Sequence, residues 1–286
     1  EEEDTEINEE DEASAFRLLL KKLMITDSDI IYDDRSSNMA AGLQGINLSL
    51  SGDMSADETT IRSDLSIDDL SFVMDKIPYL SKVAAKAKLD VIADLKNSRF
   101  TLADNTIQLN EIQAAIDGWV ALPDEESIEM DLKLNAPTTQ FKDLLSMIPA
   151  IYAKEFKELK TSGEATLDAY IKGVMKGELL PAFDVKLNVA DAMFQYPGMP
   201  KSVTNINADM RAYNPGGSAD NTLVDLSKFH FEMGGNPFDV QLHVATPMSD
   251  MSLKLAAVGK LNLGMIKEVY PLEDMELSGN LDANLN

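Results

Sequence analysis

Apolar and polar residues alternate with a period of two along most of this chain. A backbone that obeys this period is extended, with one apolar face and one wet face. The clearest runs are Val185, Leu187 and Val189; Ile206, Ala208 and Met210; Phe238, Val240, Leu242 and Val244; and Leu253, Leu255 and Ala257. Ile46, Leu48 and Leu50, and then Ala165, Leu167, Ala169 and Ile171, follow the same rule. Turn signals separate the runs at Pro197-Gly198, Asn214-Pro215-Gly216-Gly217 and Gly234-Gly235-Asn236-Pro237. The pattern predicts a mainly β fold: a long, curved antiparallel sheet of repeated hairpins with a few short helices.

A long twisted sheet that does not close must curl, and so has a concave face. Strands of roughly eight residues would make a trough about 26 Å across. Its candidate lining is Val185, Leu187, Val189, Ile206, Met210, Phe238, Val240, Leu242, Val244, Leu253 and Leu255. Taken alone, the same alternation far more often marks an ordinary β core covered by a second sheet or by helices, and only the family resemblance set out below favours an open apolar groove.

One segment departs from the period. Phe141, Leu144, Leu145 and Ile148 fall at i, i+3, i+4 and i+7, the spacing of a helix with one apolar face, and they are candidates for a lid over the groove. Pro149 ends that helix, and a second helical piece is expected through Tyr152, Phe156 and Leu159. A shorter helix is expected over Gly264 to Tyr270, closed by Pro271.

The chain also echoes itself. Asp94, Leu95, Phe100 and Asn105 return as Asp225, Leu226, Phe231 and Asn236, 131 positions on (225 − 94). Leu132-Lys133-Leu134 returns as Leu253-Lys254-Leu255, 121 on (253 − 132), and Ser162-Gly163 as Ser278-Gly279, 116 on (278 − 162). At the front, Ile25, Asp27, Ile30 and Tyr32 correspond to Val189, Asp191, Phe194 and Tyr196, 164 apart (189 − 25), and Asn47 and Asn207 follow in the same order. A β unit used twice with trimmed connections gives this pattern, and a repeated surface points to an extended binding face or scaffold rather than one catalytic pocket. The expected division is an acidic disordered segment over 1–15, a first β-rich repeat region over 16–137, a helical insertion over 138–160 and a second β-rich repeat region over 161–286, truncated at its C-terminus.

The net charge is −24, from 49 acidic and 25 basic residues, which argues against tracking nucleic-acid phosphates or lying flat on anionic headgroups. Nine of the first twelve residues are acidic and are expected to stay solvated. The chain has no cysteine, so disulfides and thiolate chemistry are excluded. No apolar stretch reaches the roughly 20 residues that cross a bilayer. The chain does not start with Met and stops in mid-alternation at Leu281 to Asn286, so it is read as a piece of a longer protein.

Few residues offer chemistry. The two histidines, His230 and His243, occupy the polar phase of their strands and are expected to face solvent; without cysteines they make a poor metal set. The acidic clusters Asp33-Asp34, Asp68-Asp69 and Asp124-Glu125-Glu126 contain no pair that stands out as an acid and base. There is no phosphate-cradling glycine loop, nucleophile elbow or HExxH. Trp119 is read as a packing anchor on a strand, and the fifteen methionines as adaptable apolar filling. No enzymatic activity, cofactor or metal is expected.

Several longer phrases carry a family resemblance: Phe194-Gln195-Tyr196-Pro197, Lys201-Ser202-Val203, Asn214-Pro215-Gly216-Gly217-Ser218, Phe229-His230-Phe231, Gly234-Gly235-Asn236-Pro237-Phe238 and Pro271-Leu272-Glu273-Asp274-Met275-Glu276-Leu277-Ser278-Gly279. With them the chain resembles the AsmA family of bacterial envelope proteins over most of Phe16 to Asn286, most densely from Leu132 to Gly279. That family is similar to repeating-β-groove lipid transporters and is implicated in moving phospholipid between the two envelope membranes. The resemblance implies a periplasmic, lipid-binding segment of a membrane-anchored protein, with its partners phospholipid or another acyl lipid and, through segments outside this chain, the membrane. The alternatives are a structural β scaffold or protein-interaction module of the envelope, and a carbohydrate-active protein, for which 6% aromatic residues offer little material.

Overall fold

A computed structural model describes residues 22–35, 39–52, 57–74, 77–145, 159–177, 179–270 and 276–285. The acidic start, Ile148, Pro149, Tyr152 and Phe156 lie outside the described residues. The first strands are β1 (Lys22–Asp34), β2 (Met39–Ser51), β3 (Glu58–Met74), β4 (Ile77–Asp94), β5 (Arg99–Leu109), β6 (Ile112–Ala121) and β7 (Ser127–Gln140), followed by helix α1 (Phe141–Leu145). Then come β8 (Lys160–Lys176), β9 (Ala182–Gln195), β10 (Val203–Asn214), β11 (Leu223–Met233), β12 (Asn236–Ala245), β13 (Ser252–Asn262), helix α2 (Ile266–Val269) and β14 (Asn280–Leu285). Among the described residues each strand pairs antiparallel with the next in sequence order, giving one fourteen-stranded sheet with β1 and β14 as its outermost strands. The mainly β, repeated-hairpin architecture is as the alternation predicts.

The sheet is one layer thick. No two non-neighbouring strands pack extensively among the described residues. The chain exposes 18870 Å², against about 12,000 Å² for a compact globule of its mass. An unclosed sheet of this many twisted strands curls rather than lying flat.

All the strands but β14, which has six residues, are longer than eight: β4 has 18, and β3 and β8 have 17. The period-two signal ran short because bulges interrupt it. The ladder slips between Leu102 and Asn105, Ala136 and Thr139, Thr204 and Asn207, and Leu226 and Phe229, among others. At each slip one extra residue is accommodated, the same face is resumed three residues on rather than two, and the local twist increases. Asp27, Asp191 and Asn205 take left-handed φ of 46°, 47° and 52° at these slips, which a short polar side chain tolerates better than a branched one. Asn105, 2% exposed, locks one slip by accepting from the Asp90 N–H at 2.6 Å and donating to its carbonyl at 3.1 Å.

Of the four echoes, those at 164 and 116 are structural and the one at 131 is not. The β1–β2 pairs Ile25↔Leu48, Ser28↔Ile46 and Ile30↔Leu43 are reproduced as Val189↔Ala208, Ala192↔Ile206 and Phe194↔Val203 in β9–β10. The bulge is copied too: the Asp27 N–H donates to Asn47 Oδ1 at 3.2 Å, and the Asp191 N–H to Asn207 Oδ1 at 3.4 Å. At the other end, Gln140↔Glu164 in β7–β8 matches Asn262↔Asn280 in β13–β14, and a helical segment follows at Phe141 and at Leu263. Gly163 and Gly279 share φ of 105° and 104°. The echo at 131 is a sequence coincidence, because Asp94 to Phe100 spans a hairpin turn whereas Asp225 to Phe231 lies within β11.

The repeat is therefore β1–β8 followed by β9–β14. Between the matched ends the offset falls from 160 (207 − 47) to 122 (262 − 140), a loss of 38 residues, and four strands, β3 to β6, are replaced by two, β11 and β12. Removing a whole hairpin preserves the direction of every later strand; removing a single strand would reverse them.

Candidate functional site

Directly opposed residues of antiparallel strands project from the same face, so the registers trace the apolar surface. One row runs Ala136, Leu167, Leu187, Met210, Leu226, Leu242 and Leu255 across β7 to β13. Beside it run Leu134, Ala169, Val185, Ala212, Val224, Val244 and Leu253 on one side, and Thr139, Ala165, Val189, Ala208, Phe229, Val240, Ala257 and Leu285 on the other. Phe238 pairs with Phe231 and Ile206 with Ala192 on this same face. All eleven candidate lining residues thus share one surface. Pairing spreads it further, since Ile25, Leu48, Leu65, Ala87 and Ile107 form an equivalent row across β1 to β5.

Sequence reading missed Leu226, Phe229 and Phe231 as members of this face. The slip between Leu226 and Phe229 breaks the alternation, so β11 gives no clean period of two; the signal that finds them is the register of its neighbours.

The face is roofed along one flank and open along the other. Phe141 and Leu145 of α1, Leu159 and Val269 of α2 pack with Ala165, Val189, Ala192, Tyr196, Val203, Ile206 and Met233, and Leu144 packs against that cluster. Val189 and Ile206 are accordingly only 5% exposed. Farther from the roof, Leu253 and Leu255 are 53% and 45% exposed, and Val185, Met210, Leu242 and Val244 are half-buried with no second layer over them among the described residues. Phe238 is buried in a smaller cluster with Ala257 and Ala283. Three of the four lid candidates, Phe141, Leu144 and Leu145, therefore do cover part of the face; Ile148 lies outside the described residues.

Local chemistry fixes the roof. The Asp143 carboxylate accepts from the Gln140 N–H at 3.3 Å, half of a capping box at the start of α1. Before α2, the Asn262 side chain accepts from the Gly264 N–H at 2.9 Å. Lys201 in the β9–β10 loop donates its N–H to the Glu268 carbonyl at 3.0 Å and pairs its Nζ with the Glu268 carboxylate at 2.8 Å. Tyr196 and Tyr270 meet edge to face at 5.0 Å between ring centres.

The opposite face is a polar ladder. Arg211 donates two hydrogen bonds of 2.8 Å to Asp184 and lies over the Tyr213 ring. That hydrogen bonding holds the Asp184 carboxyl below the usual carboxylate range, against the opposing pull of its partial burial. His243 meets Asp225 at 2.5 Å and His230 meets Asp239 at 2.8 Å, so both histidines face the polar side, each held by a cross-strand carboxylate. Trp119 also belongs to this side, with the Arg99 guanidinium 3.8 Å above its ring centre; it stacks on the outer face rather than anchoring a core. No group of three metal-ligating side chains converges among the described residues. Two clefts, of about 560 and 540 Å³, are lined largely by polar residues such as Gln140, Ser162, Glu164, Ser49 and Asp64.

The depressed Asp184 carboxyl favours the folded state above its unfolded titration range, and that contribution is lost as pH falls through its folded value. Arg211→Met is expected to return the Asp184 titration upward toward the ordinary carboxylate range and to flatten the acid limb of stability. Carboxyl-resolved NMR titration, with urea midpoints followed down from neutral pH, measures both; an unmoved Asp184 titration would refute the assignment.

No helix among the described residues is long and apolar enough to cross a membrane. Comparison with known proteins finds no matching family model, no matching curated protein and no matching solved structure.

Proposed function

We propose that this chain is a non-enzymatic lipid-binding segment that shelters phospholipid acyl chains on its apolar face, within an envelope protein that passes lipid between membranes. The observation carrying this reading is the row from Ala136 to Leu255, apolar at every position across seven strands, with no second layer over its open flank among the described residues. Six strand spacings of about 4.8 Å make the row about 29 Å long, close to the hydrocarbon thickness of a bilayer at about 30 Å. Each methylene removed from water contributes about 0.8 kcal/mol, so acyl tails are held without a directed hydrogen bond and with little headgroup selectivity. The headgroup stays in water at the open flank, which makes a basic pocket unnecessary and a net charge of −24 tolerable. A periplasmic location, with membrane attachment through segments outside this chain, accords with the AsmA resemblance.

Native mass spectrometry of protein purified without detergent tests the reading. Phospholipid adducts that a detergent wash strips and added vesicles restore are expected; an apo mass before and after vesicle incubation would overturn it. The second reading, a scaffold or docking module, is favoured by the sheet edges that β1 and β14 form among the described residues, and predicts that apo mass.

A further inference from the structure

Burial of the apolar face begins at the same depth on three strands. On β9 the first apolar side chain of the face at the open flank is Phe183 and the first buried one is Val189. On β10 the two are Ala212 and Ile206, and on β12 they are Val244 and Phe238. Each interval is six residues (189 − 183, 212 − 206 and 244 − 238), or about 20 Å of extended chain at about 3.3 Å per residue. The last half-buried positions, Leu187, Ala208 and Val240, come two residues earlier, about 13 Å in. On β11, between β10 and β12, Phe229 and Phe231 pack against the roofed cluster and continue the wall.

Two separate packings set that depth. Val189 and Ile206 end the face because they belong to the cluster that includes residues of α1 and α2. Phe238 ends it in another way, packed with Ala257 and Ala283 and tilted against Phe231 with ring centres 5.6 Å apart. A tail whose headgroup stays in water at the open flank runs along the strands and meets this wall end-on. Half of the roughly 30 Å hydrocarbon core of a bilayer is about 15 Å. One leaflet's length of tail therefore falls between the last half-buried positions and the wall.

We propose that this wall is a ruler for acyl length, so that the face takes phospholipids whose tails match one leaflet and rejects longer ones. The inference rests on the lipid reading above and names the class of lipid. Methylenes short of the wall exchange the bilayer interior for the apolar face, at little net change. Those beyond it are left in water, and each lowers affinity by up to about fourfold, because a buried methylene contributes about 0.8 kcal/mol. Selection by length needs no headgroup contact, so it is compatible with an acidic chain that lacks a basic pocket.

The test incubates the chain with fluid vesicles of an equimolar series of monounsaturated phosphatidylcholines, graded from myristoleoyl to erucoyl tails, and compares bound with vesicle composition by native mass spectrometry. The shorter members are expected in vesicle proportion and the erucoyl lipid depleted at least tenfold. Ala208 and Val240 flank Phe229 in one row, so Ala208→Phe with Val240→Phe brings the wall forward by two residues. That variant is expected to deplete the mid-length oleoyl lipid at least fivefold as well. Met210→Trp with Leu242→Trp, at positions outside the packed clusters, is expected to shift the cut-off the same way and decides the matter if the first variant does not fold. Gln241→Phe with Lys254→Phe, on the polar side of the same strands, is expected to leave the cut-off where it was. Binding of every length in vesicle proportion, or one profile shared by the original chain and the folded shortened variants, overturns the ruler and leaves lipid binding standing. An empty mass with every lipid overturns both.

Discussion

Introducing Leu242→Glu together with Leu255→Glu is expected to lower phospholipid retention at least a hundredfold, while Gln241→Glu together with Lys254→Glu changes it less than twofold. The four positions belong to the same two strands. Leu242 and Leu255 face each other across β12 and β13 on the apolar side, and the residue before each projects from the polar side. Leu255 is already half exposed and Leu242 is half-buried outside the clusters beneath the roof, so neither substitution empties a packed core. Each carboxylate must instead lose water when an acyl chain lies over it, at an effective cost of several kcal/mol per ion; about 3 kcal/mol alone is about a hundredfold in affinity. The polar-side variant adds negative charge to the same strands without touching the acyl path, so it separates a contact effect from general charge repulsion. Lipid per chain after vesicle incubation, with far-ultraviolet circular dichroism to confirm unchanged strand content, is the measurement. Equal loss in both variants would place lipid somewhere other than the apolar face.

That contrast uses information only partly legible in the sequence. Val185, Leu187 and Val189, or Phe238 through Val244, declare their strands because alternation is unbroken there, and all of them lie on the face assigned to them. Leu226 and Phe229 do not, because a bulge separates them and the period of two fails across it. The same slips explain why strands of 17 and 18 residues read as pieces of about eight. The roof was visible as the i, i+3, i+4 spacing of Phe141, Leu144 and Leu145. Which flank it covers was not, because that depends on where α1 and α2 land, set by Lys201, Glu268, Tyr196 and Tyr270 across long sequence separations. The echo at 164 marked true equivalence because it included Asp27 and Asp191, whose backbone conformation is unusual and therefore informative. The echo at 131 rested on Leu, Phe and Asn at ordinary strand and turn positions, where chance repetition is easy.

Gly118→Ala should be among the most damaging single changes in the sheet, at about 3 to 5 kcal/mol, although it adds one methyl group. Gly118 has φ of 124°, a region that L side chains rarely adopt, and such strain costs about 1 to 3 kcal/mol. Its new Cβ would also lie 1.9 Å from the Asp131 carbonyl oxygen and 2.9 Å from the Leu132 Cα of the paired strand β7. Both obstacles are backbone and cannot swing aside, so β6 and β7 must separate locally, with an overpacking cost of about 1 to 3 kcal/mol in addition. Gly235→Ala is the matched comparison: φ there is 80°, but nothing lies within 4 Å, so only the conformational cost of about 1 kcal/mol remains. Urea unfolding of the two variants measures the difference, and hydrogen exchange should locate the Gly118→Ala defect in the β6 and β7 amides. Gly118 pairs with Leu132 and Leu102 on the apolar face, so opening this seam would put unpaired peptide groups into the acyl path. Lipid retention is then expected to fall even where the rest of the sheet stays folded. Equal destabilisation by the two alanines would mean that the φ of Gly118, and not the close approach of β7, is what demands glycine there.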